Sequence, residues 1–294
     1  MRLVHLTRIA AAAATVVLAA TACGGGDSGS GSGAADTTFP AGTTMARLSE
    51  AGTIKVGTKF DQPLFGLKGL DGKPVGFDVE IAKIIAGGMG IEESNIEFIE
   101  APSRVREDII QQGTVDMVVA TYTINDARKE KISFAGPYYI AGQDLMVKSD
   151  NTTITGPESI KPANARVCSV SGSTPAKTIV DKGYVDPANL TLFDVYSKCA
   201  DALRTGQTDV VTTDNVILAG LVAESDGQFK LVGQPFTEEP YGIGIPKGDT
   251  AFCEYINQTL QKAEADGSYA KAWESTVGTV TPEVPPLPPA DACS

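Results

Sequence analysis

DMVVATYTINDARKEKISFAGPYY, residues 116–139, turns a buried strand into a row of polar groups. Met117 to Ala120 is an unbroken apolar run of the kind found in a parallel strand covered on both faces, where alternation is unnecessary. Polarity then arrives abruptly. Thr121 and Thr123 fall where such a strand would end, Asn125 or Asp126 can cap the turn that follows, and Arg128 stands one helical turn further on. Ligands collect at that edge of a parallel sheet. Two hydroxyls, free backbone donors and a planar guanidinium suit a carboxylate, which accepts a two-pronged hydrogen bond from arginine better than from lysine. The same residues also have a plainer reading, since threonine favours strands and most arginines are solvated.

The segments around this stretch alternate. Ile54 to Thr58 reads as a first strand, Asp78 is placed to cap a helix through Ala86, and Ile96 to Ile99 is a second strand, a pattern that predicts an α/β fold. Gly113-Thr114-Val115-Asp116-Met117-Val118-Val119-Ala120-Thr121 is echoed by Gly206-Gln207-Thr208-Asp209-Val210-Val211-Thr212-Thr213-Asp214. Each block follows a helical stretch, Val105 to Gln112 and Ser197 to Thr205, with glycine where a left-handed cap is wanted. Such blocks recur in βαβ architecture, so the echo supports the fold class more than a duplication.

The amino terminus reads as a targeting segment. Arg2 and Arg8 flank or precede an apolar run from Ile9 to Ala20, too short for an ordinary membrane span, which ends in Thr21-Ala22-Cys23-Gly24. Residues 1–22 are therefore expected to be a lipoprotein signal peptide, with Cys23 lipidated. Ala20 stands where that pattern prefers leucine, and cleavage after Ala22 as an ordinary secretory signal is the rival reading. Residues 24–44 are mostly Gly, Ser, Ala and Thr and are expected to form a disordered tether with a typical span of about 25 Å.

The formal charge is −12, and removing residues 1–22 takes away two arginines and no acid, giving −14. This argues against nucleic acid or anionic lipid as a partner, and it means that an anionic ligand needs a local cluster of cations. The single histidine is His5, within the signal segment. A mature chain without histidine excludes Ser-His-Asp and Cys-His designs and imidazole zinc sites. Once Cys23 is set aside, Cys168, Cys199, Cys253 and Cys293 form an even set for two disulfides, with three possible pairings. No metal or other cofactor is implied, and no nucleotide-binding loop is present.

The segment TINDARKEKISFAGPYY resembles the signature region of the solute-binding proteins of polar amino-acid ABC importers, the family 3 extracellular solute-binding proteins. The resemblance runs from about Met45 to Val277. It implies a two-lobe periplasmic-binding-protein-like fold of type II, with lobe one at 45–145 plus 241–294 and lobe two at 146–240. The crossings are expected at Asp144 to Lys148 and Tyr241 to Ile245. With the lobes so drawn, Cys168 with Cys199 is the favoured pairing because both fall in one lobe. Cys253 with Cys293 would then fasten the tail PEVPPLPPADACS to a helix.

The resemblance also implies roles. Thr121, Thr123 and Arg128 would hold an α-carboxylate, and Asp214 would receive the α-ammonium from lobe two; the alternative for Asp214 is a helix cap for Asn215 to Val222. Ser173 and Thr174, at a helix start, would complete the carboxylate site. Lys59 and Arg106, with Arg104 as an alternative to Arg106, stand where glutamate-binding members carry cations. Phe60 and Tyr122 are expected as apolar walls. The implied protein is a monomer held to the outer face of the cell membrane by its lipid. It would capture glutamate by hinge closure and pass it to a membrane permease, with aspartate, glutamine and asparagine as rival ligands. A receptor-linked sensor is the second class. An enzyme on the same scaffold is the third, for which Asp61 or Glu239 would have to serve as the catalytic carboxylate.

Overall fold

The computed structural model describes residues 38–294; the expected signal peptide, the expected lipidation at Cys23 and the expected tether up to residue 37 lie outside the described residues. The chain begins with α1 (Thr44–Ala51), β1 (Ile54–Thr58), β2 (Asp61–Gln62), β3 (Gly66–Lys68), β4 (Pro74–Val75), α2 (Phe77–Gly88) and β5 (Ile96–Glu100). Next come α3 (Arg106–Gln111), β6 (Met117–Val118), α4 (Asp126–Lys129), β7 (Ser133–Ala141) and β8 (Gln143–Lys148). The middle of the chain supplies β9 (Val167–Val170), α5 (Thr174–Asp181), β10 (Leu190–Phe193), α6 (Tyr196–Arg204), β11 (Val210–Asp214) and α7 (Asn215–Ala223). It closes with β12 (Phe229–Leu231), β13 (Glu239–Ile245), α8 (Thr250–Asp266) and α9 (Ser268–Glu274).

Two sheets share one plan. The first has the order β5-β1-β6-β13-β7 and the second β10-β9-β11-β8-β12. In each, three strands pair in parallel and the last two are joined by antiparallel pairings, so that only the fourth strand runs against the rest. Strands β2, β3 and β4 form a small antiparallel sheet beside the first.

The sequence echo is a structural repeat. Gly113 and Gly206 both take left-handed backbone, φ 66° and 73°, after α3 and α6, a conformation that costs glycine little. Three residues on, Asp116 donates its N–H to Lys55 O at 2.8 Å and accepts Lys55 N–H on Oδ2 at 2.9 Å. Asp209 makes the same pair with Arg166, at 2.8 and 2.9 Å. The repeated aspartate thus clasps the first parallel strand of each sheet to the strand that follows the helix.

The chain crosses between sheets at slightly different places from those expected. Gln143–Lys148 belongs wholly to the second sheet, so Asp144 to Lys148 is not itself the crossing; the chain changes sheet at Gly142. On the return, Glu239 and Pro240 already pair with Ala141 and Ile140 in the first sheet. The strands run to their ends before the chain turns because every ladder group left unpaired in a buried interior is costly.

Each lobe has its own core. Phe77, Tyr269 and Trp273 pack edge to face beneath α2, α8 and α9 in lobe one. Cys168 and Cys199 lie within the lobe-two core, bonded to each other. Cys253 is bonded to Cys293 and ties the Pro-rich tail to α8, where Asp291 N–H also donates to Gly136 O at 2.7 Å. Closing loops of 31 and 40 residues contributes on the order of 4 kcal/mol each on a chain-entropy estimate.

Two local expectations are corrected. Residues 38–44, read as the end of the tether, belong to the folded body: Phe39 packs edge-on against Tyr255 and Thr43 Oγ1 accepts Ala46 N–H as the cap of α1. A lone aromatic and a Thr-Thr cap signal outweigh the low-complexity composition before them. Asp78 does not cap α2, which begins from Gly76. It is fully buried and accepts Thr121 N–H at 2.7 Å and Tyr138 Oη–H at 2.5 Å, because a deeply buried carboxylate must find donors wherever the core supplies them.

Candidate ligand-binding site

The carboxyl ends of β6 and β11 face one another across the cleft, which is nearly shut, with a cavity of only about 10 Å³ between them. Lobe one contributes Ser103, Arg106, Thr121, Thr123 and Arg128. Lobe two contributes Ser173, Thr174, Tyr196, Thr213 and Asp214. A larger depression beside Lys148 and Asp150 is more open; buried polar atoms without partners converge at the cleft.

Arg128 is held by the cap its sequence predicts: Asn125 Oδ1 accepts Arg128 N–H at 3.0 Å at the start of α4. The residue is 6% exposed. Nη1 donates to Thr123 O at 2.6 Å and to Thr174 Oγ1 at 3.1 Å, Nη2 donates to Gly172 O at 3.1 Å, and Nε lies 3.2 Å from Glu107. Arg128 therefore bridges the lobes. Burial and the neighbouring Arg106 push its pKa down to about 10.

Thr121 lines the cavity with left-handed backbone, φ 46°, a strained state for a β-branched residue. Its N–H is given to Asp78, and its hydroxyl lies 2.7 Å from Ala120 O and 3.0 Å from Gln62 Oε1. Both its donors are thus satisfied within lobe one, so it shapes the rim of the cavity and has none left for a carboxylate. Ser173 Oγ accepts Ala176 N–H as the cap of α5. Thr174 Oγ1 meets Arg128.

Asp214 stands at the N-cap position of α7, yet its side chain accepts no amide of that helix. The capping alternative therefore falls. Oδ2 accepts Tyr241 Oη–H at 2.7 Å, while Oδ1 is buried with no partner. Glu239 is also buried, with Oε1 accepting Thr237 Oγ1–H at 2.9 Å and Oε2 unpaired. Burial, then mutual repulsion in the case of Asp214, holds both carboxyls above the ordinary carboxylate range.

Arg106 lies 4.0 Å over the Tyr122 ring and donates Nη1 to Ala120 O at 2.8 Å; its Nε has no partner. Lys59 is 1% exposed, and its Nζ donates to Ser103 Oγ at 3.0 Å. Burial, and then Arg106, pushes the Lys59 ammonium down to about 7. Among the described residues, no carboxylate lies within 4.0 Å of either cation, whereas Arg128 has Glu107.

The aromatic walls expected of Phe60 and Tyr122 are not where the sequence put them. Tyr122 is fully buried beneath both guanidinia and against Phe134, and neither ring lines the cavity. Phe60 turns to Lys68, whose Nζ lies 4.7 Å from its ring. The lining positions missed were Ser103, just ahead of α3, Tyr196, the first residue of α6, and Pro175, Thr213 and Ile217.

Two α/β lobes joined by crossing segments, with cations and an unpaired carboxylate converging in a buried polar cleft, define a two-lobe solute-binding protein. Residues 54–278 match the model of the bacterial extracellular solute-binding proteins, family 3, and the chain belongs to that family. It is 40% identical over 238 residues to the glutamate-binding protein GluB of Corynebacterium glutamicum, covering 78% of this chain and 80% of that one. The glutamine-binding protein GlnH of an ABC transporter in Bacillus subtilis is 37% identical, over 80% of this chain and 84% of its own. Among solved structures, an ancestral arginine-binding protein bound to glutamine superposes with a TM-score of 0.70 at 35% identity, over 77% of this chain and 98% of that chain.

Proposed function

We propose that the protein captures L-glutamate in this cleft, closes around it and delivers it to the permease of an ABC importer. One observation carries the choice of ligand: Arg106 lines the cavity and buried Lys59 reaches Ser103 on its wall, and among the described residues neither cation has a carboxylate within 4.0 Å. A buried charge without a partner is costly, and a second ligand carboxylate is the complement both lack. The α-carboxylate is assigned to Arg128 and Thr123 with the start of α5, taking the Nη positions that Gly172 O and Thr174 Oγ1 now occupy. The α-ammonium is assigned to Asp214, whose Oδ1 is unpaired.

Glutamine is the nearest rival, since a Lys59 ammonium pushed down to about 7 spends part of its time neutral at physiological pH. The relatives that bind glutamate and glutamine bracket the same choice. The two carboxylates an enzyme reading would nominate are engaged otherwise: Asp61 accepts a backbone amide and Glu239 a threonine hydroxyl. We therefore read the protein as a binder that does no chemistry itself. Cys23 is read as the lipid anchor that keeps it at the outer face of the membrane.

The test is calorimetric titration with glutamate and glutamine across pH. A depressed ammonium must take up a proton to meet a carboxylate above its own pKa. Glutamate affinity should therefore fall above about pH 7, by up to roughly tenfold per unit. The raised Asp214 carboxyl must ionise to receive the ammonium, so both ligands should weaken on the acid side, at a pH above the usual carboxylate range. Glutamine should show the acid limb alone. A glutamate affinity that stays flat above neutrality would remove Lys59 from the site.

A further inference from the structure

The helix that carries Tyr196 into the cleft has no cap of its own. Val195 stands at the N-cap position of α6 and has no polar side chain, and the adjacent Asp194 carboxylate is taken by Lys198, at 2.7 and 3.0 Å. The missing acceptor comes from the other lobe. Asp61 Oδ2, on β2 of lobe one, accepts Tyr196 N–H at 2.6 Å across 135 positions of sequence. Two residues further along, Pro63 brings its carbonyl so close to α7 that a Cβ on Gly220 would lie 2.5 Å from it.

We infer that Asp61 is a positioning residue for ligand capture: by capping α6 from the opposite lobe, it latches the closed cleft and fixes Tyr196 against the cavity. The inference rests on the reading that the lobes close over an amino acid. A helix start leaves its first amides unpaired, and a carboxylate there satisfies one of them and meets the positive end of the helix dipole. When the lobes part, water must replace Asp61, so the contact stabilises the closed state only. Gly220 belongs to the same seam, because α7 can reach Pro63 only where no side chain intervenes. Asp61 is not among the residues lining the cavity. The latch therefore raises affinity for every ligand that permits closure and leaves selectivity to the cleft itself.

Asp61 also lies near enough to Lys59 to favour its charged form, so removing the carboxylate alters charge as well as capping. Comparing Asp61→Asn with Asp61→Ala separates the two effects. Both lose the charge, whereas asparagine caps about as well as aspartate and alanine does not. In the full chain, Asp61→Ala is expected to bind both glutamate and glutamine about tenfold more weakly than Asp61→Asn. Gly220→Ala should keep the radius of gyration at saturating glutamate larger than that of the unaltered protein. Equal affinities for the two Asp61 variants, or a difference confined to one amino acid, would overturn the latch. If neither amino acid binds the unaltered protein, the functional reading fails separately. The latch is then decided by amide exchange at Tyr196, expected faster in Asp61→Ala than in Asp61→Asn; equal rates would overturn it.

Discussion

Arg128→Ala is expected to remove amino-acid binding and to destabilise the ligand-free protein at the same time. The guanidinium is buried and donates to Thr123 O, Thr174 Oγ1 and Gly172 O while facing Glu107. Truncation removes the proposed carboxylate partner and leaves Glu107 and the carbonyls without their donor. Losing one side of a buried, hydrogen-bonded charge pair costs about 2–5 kcal/mol, so affinity should fall by roughly thirtyfold to a few thousandfold. Arg128→Lys should fall between the two, because a single ammonium cannot reproduce the fork. Calorimetry and thermal unfolding read both effects. Binding retained within a few-fold would contradict the assignment of the α-carboxylate.

Asp214→Asn is expected to abolish binding equally while moving stability the other way. Asparagine preserves the shape and can still accept from Tyr241 Oη, but it removes a buried carboxylate with an unpaired oxygen beside Glu239. The ligand-free protein should unfold at a higher temperature, since an unpaired buried charge costs stability and a site built for a ligand holds such strain. A zwitterion then meets no charge at its ammonium end, and affinity should fall by roughly thirtyfold to a few thousandfold, again about 2–5 kcal/mol. A variant that binds normally, or one that loses stability along with binding, would contradict the role given to Asp214. The opposite stability effects of Arg128→Ala and Asp214→Asn serve as mutual controls against general damage to the fold.

Much of this was legible in the sequence because it depended on local chemistry. The apolar run ending at Ala120, the Asn125 cap and the glycines before β6 and β11 act over a few residues, and they appear where their patterns place them. What stayed hidden depended on contacts between distant segments. Asp78 has the sequence position of a helix cap, yet Thr121 and Tyr138 claim it from 43 and 60 positions away. Tyr122 looks like a wall of the pocket and is a buried platform for two guanidinia. Ser103 and Tyr196 carry no motif; the echo, extended back at the same offset, pairs one with the other but marks neither as a site residue. The pairing of Asp61 with α6 lay beyond any such pattern, because it forms only when two separately folded lobes meet.

The most direct measurement is calorimetric titration of the protein with a panel of amino acids, after unfolding and refolding with the disulfides intact to strip carried-over ligand. The account predicts one-to-one binding of glutamate at neutral pH, tighter than that of glutamine, aspartate or asparagine. Tight binding of glutamine with none of glutamate would contradict the roles given to Lys59 and Arg106, and binding of no amino acid would contradict the account as a whole.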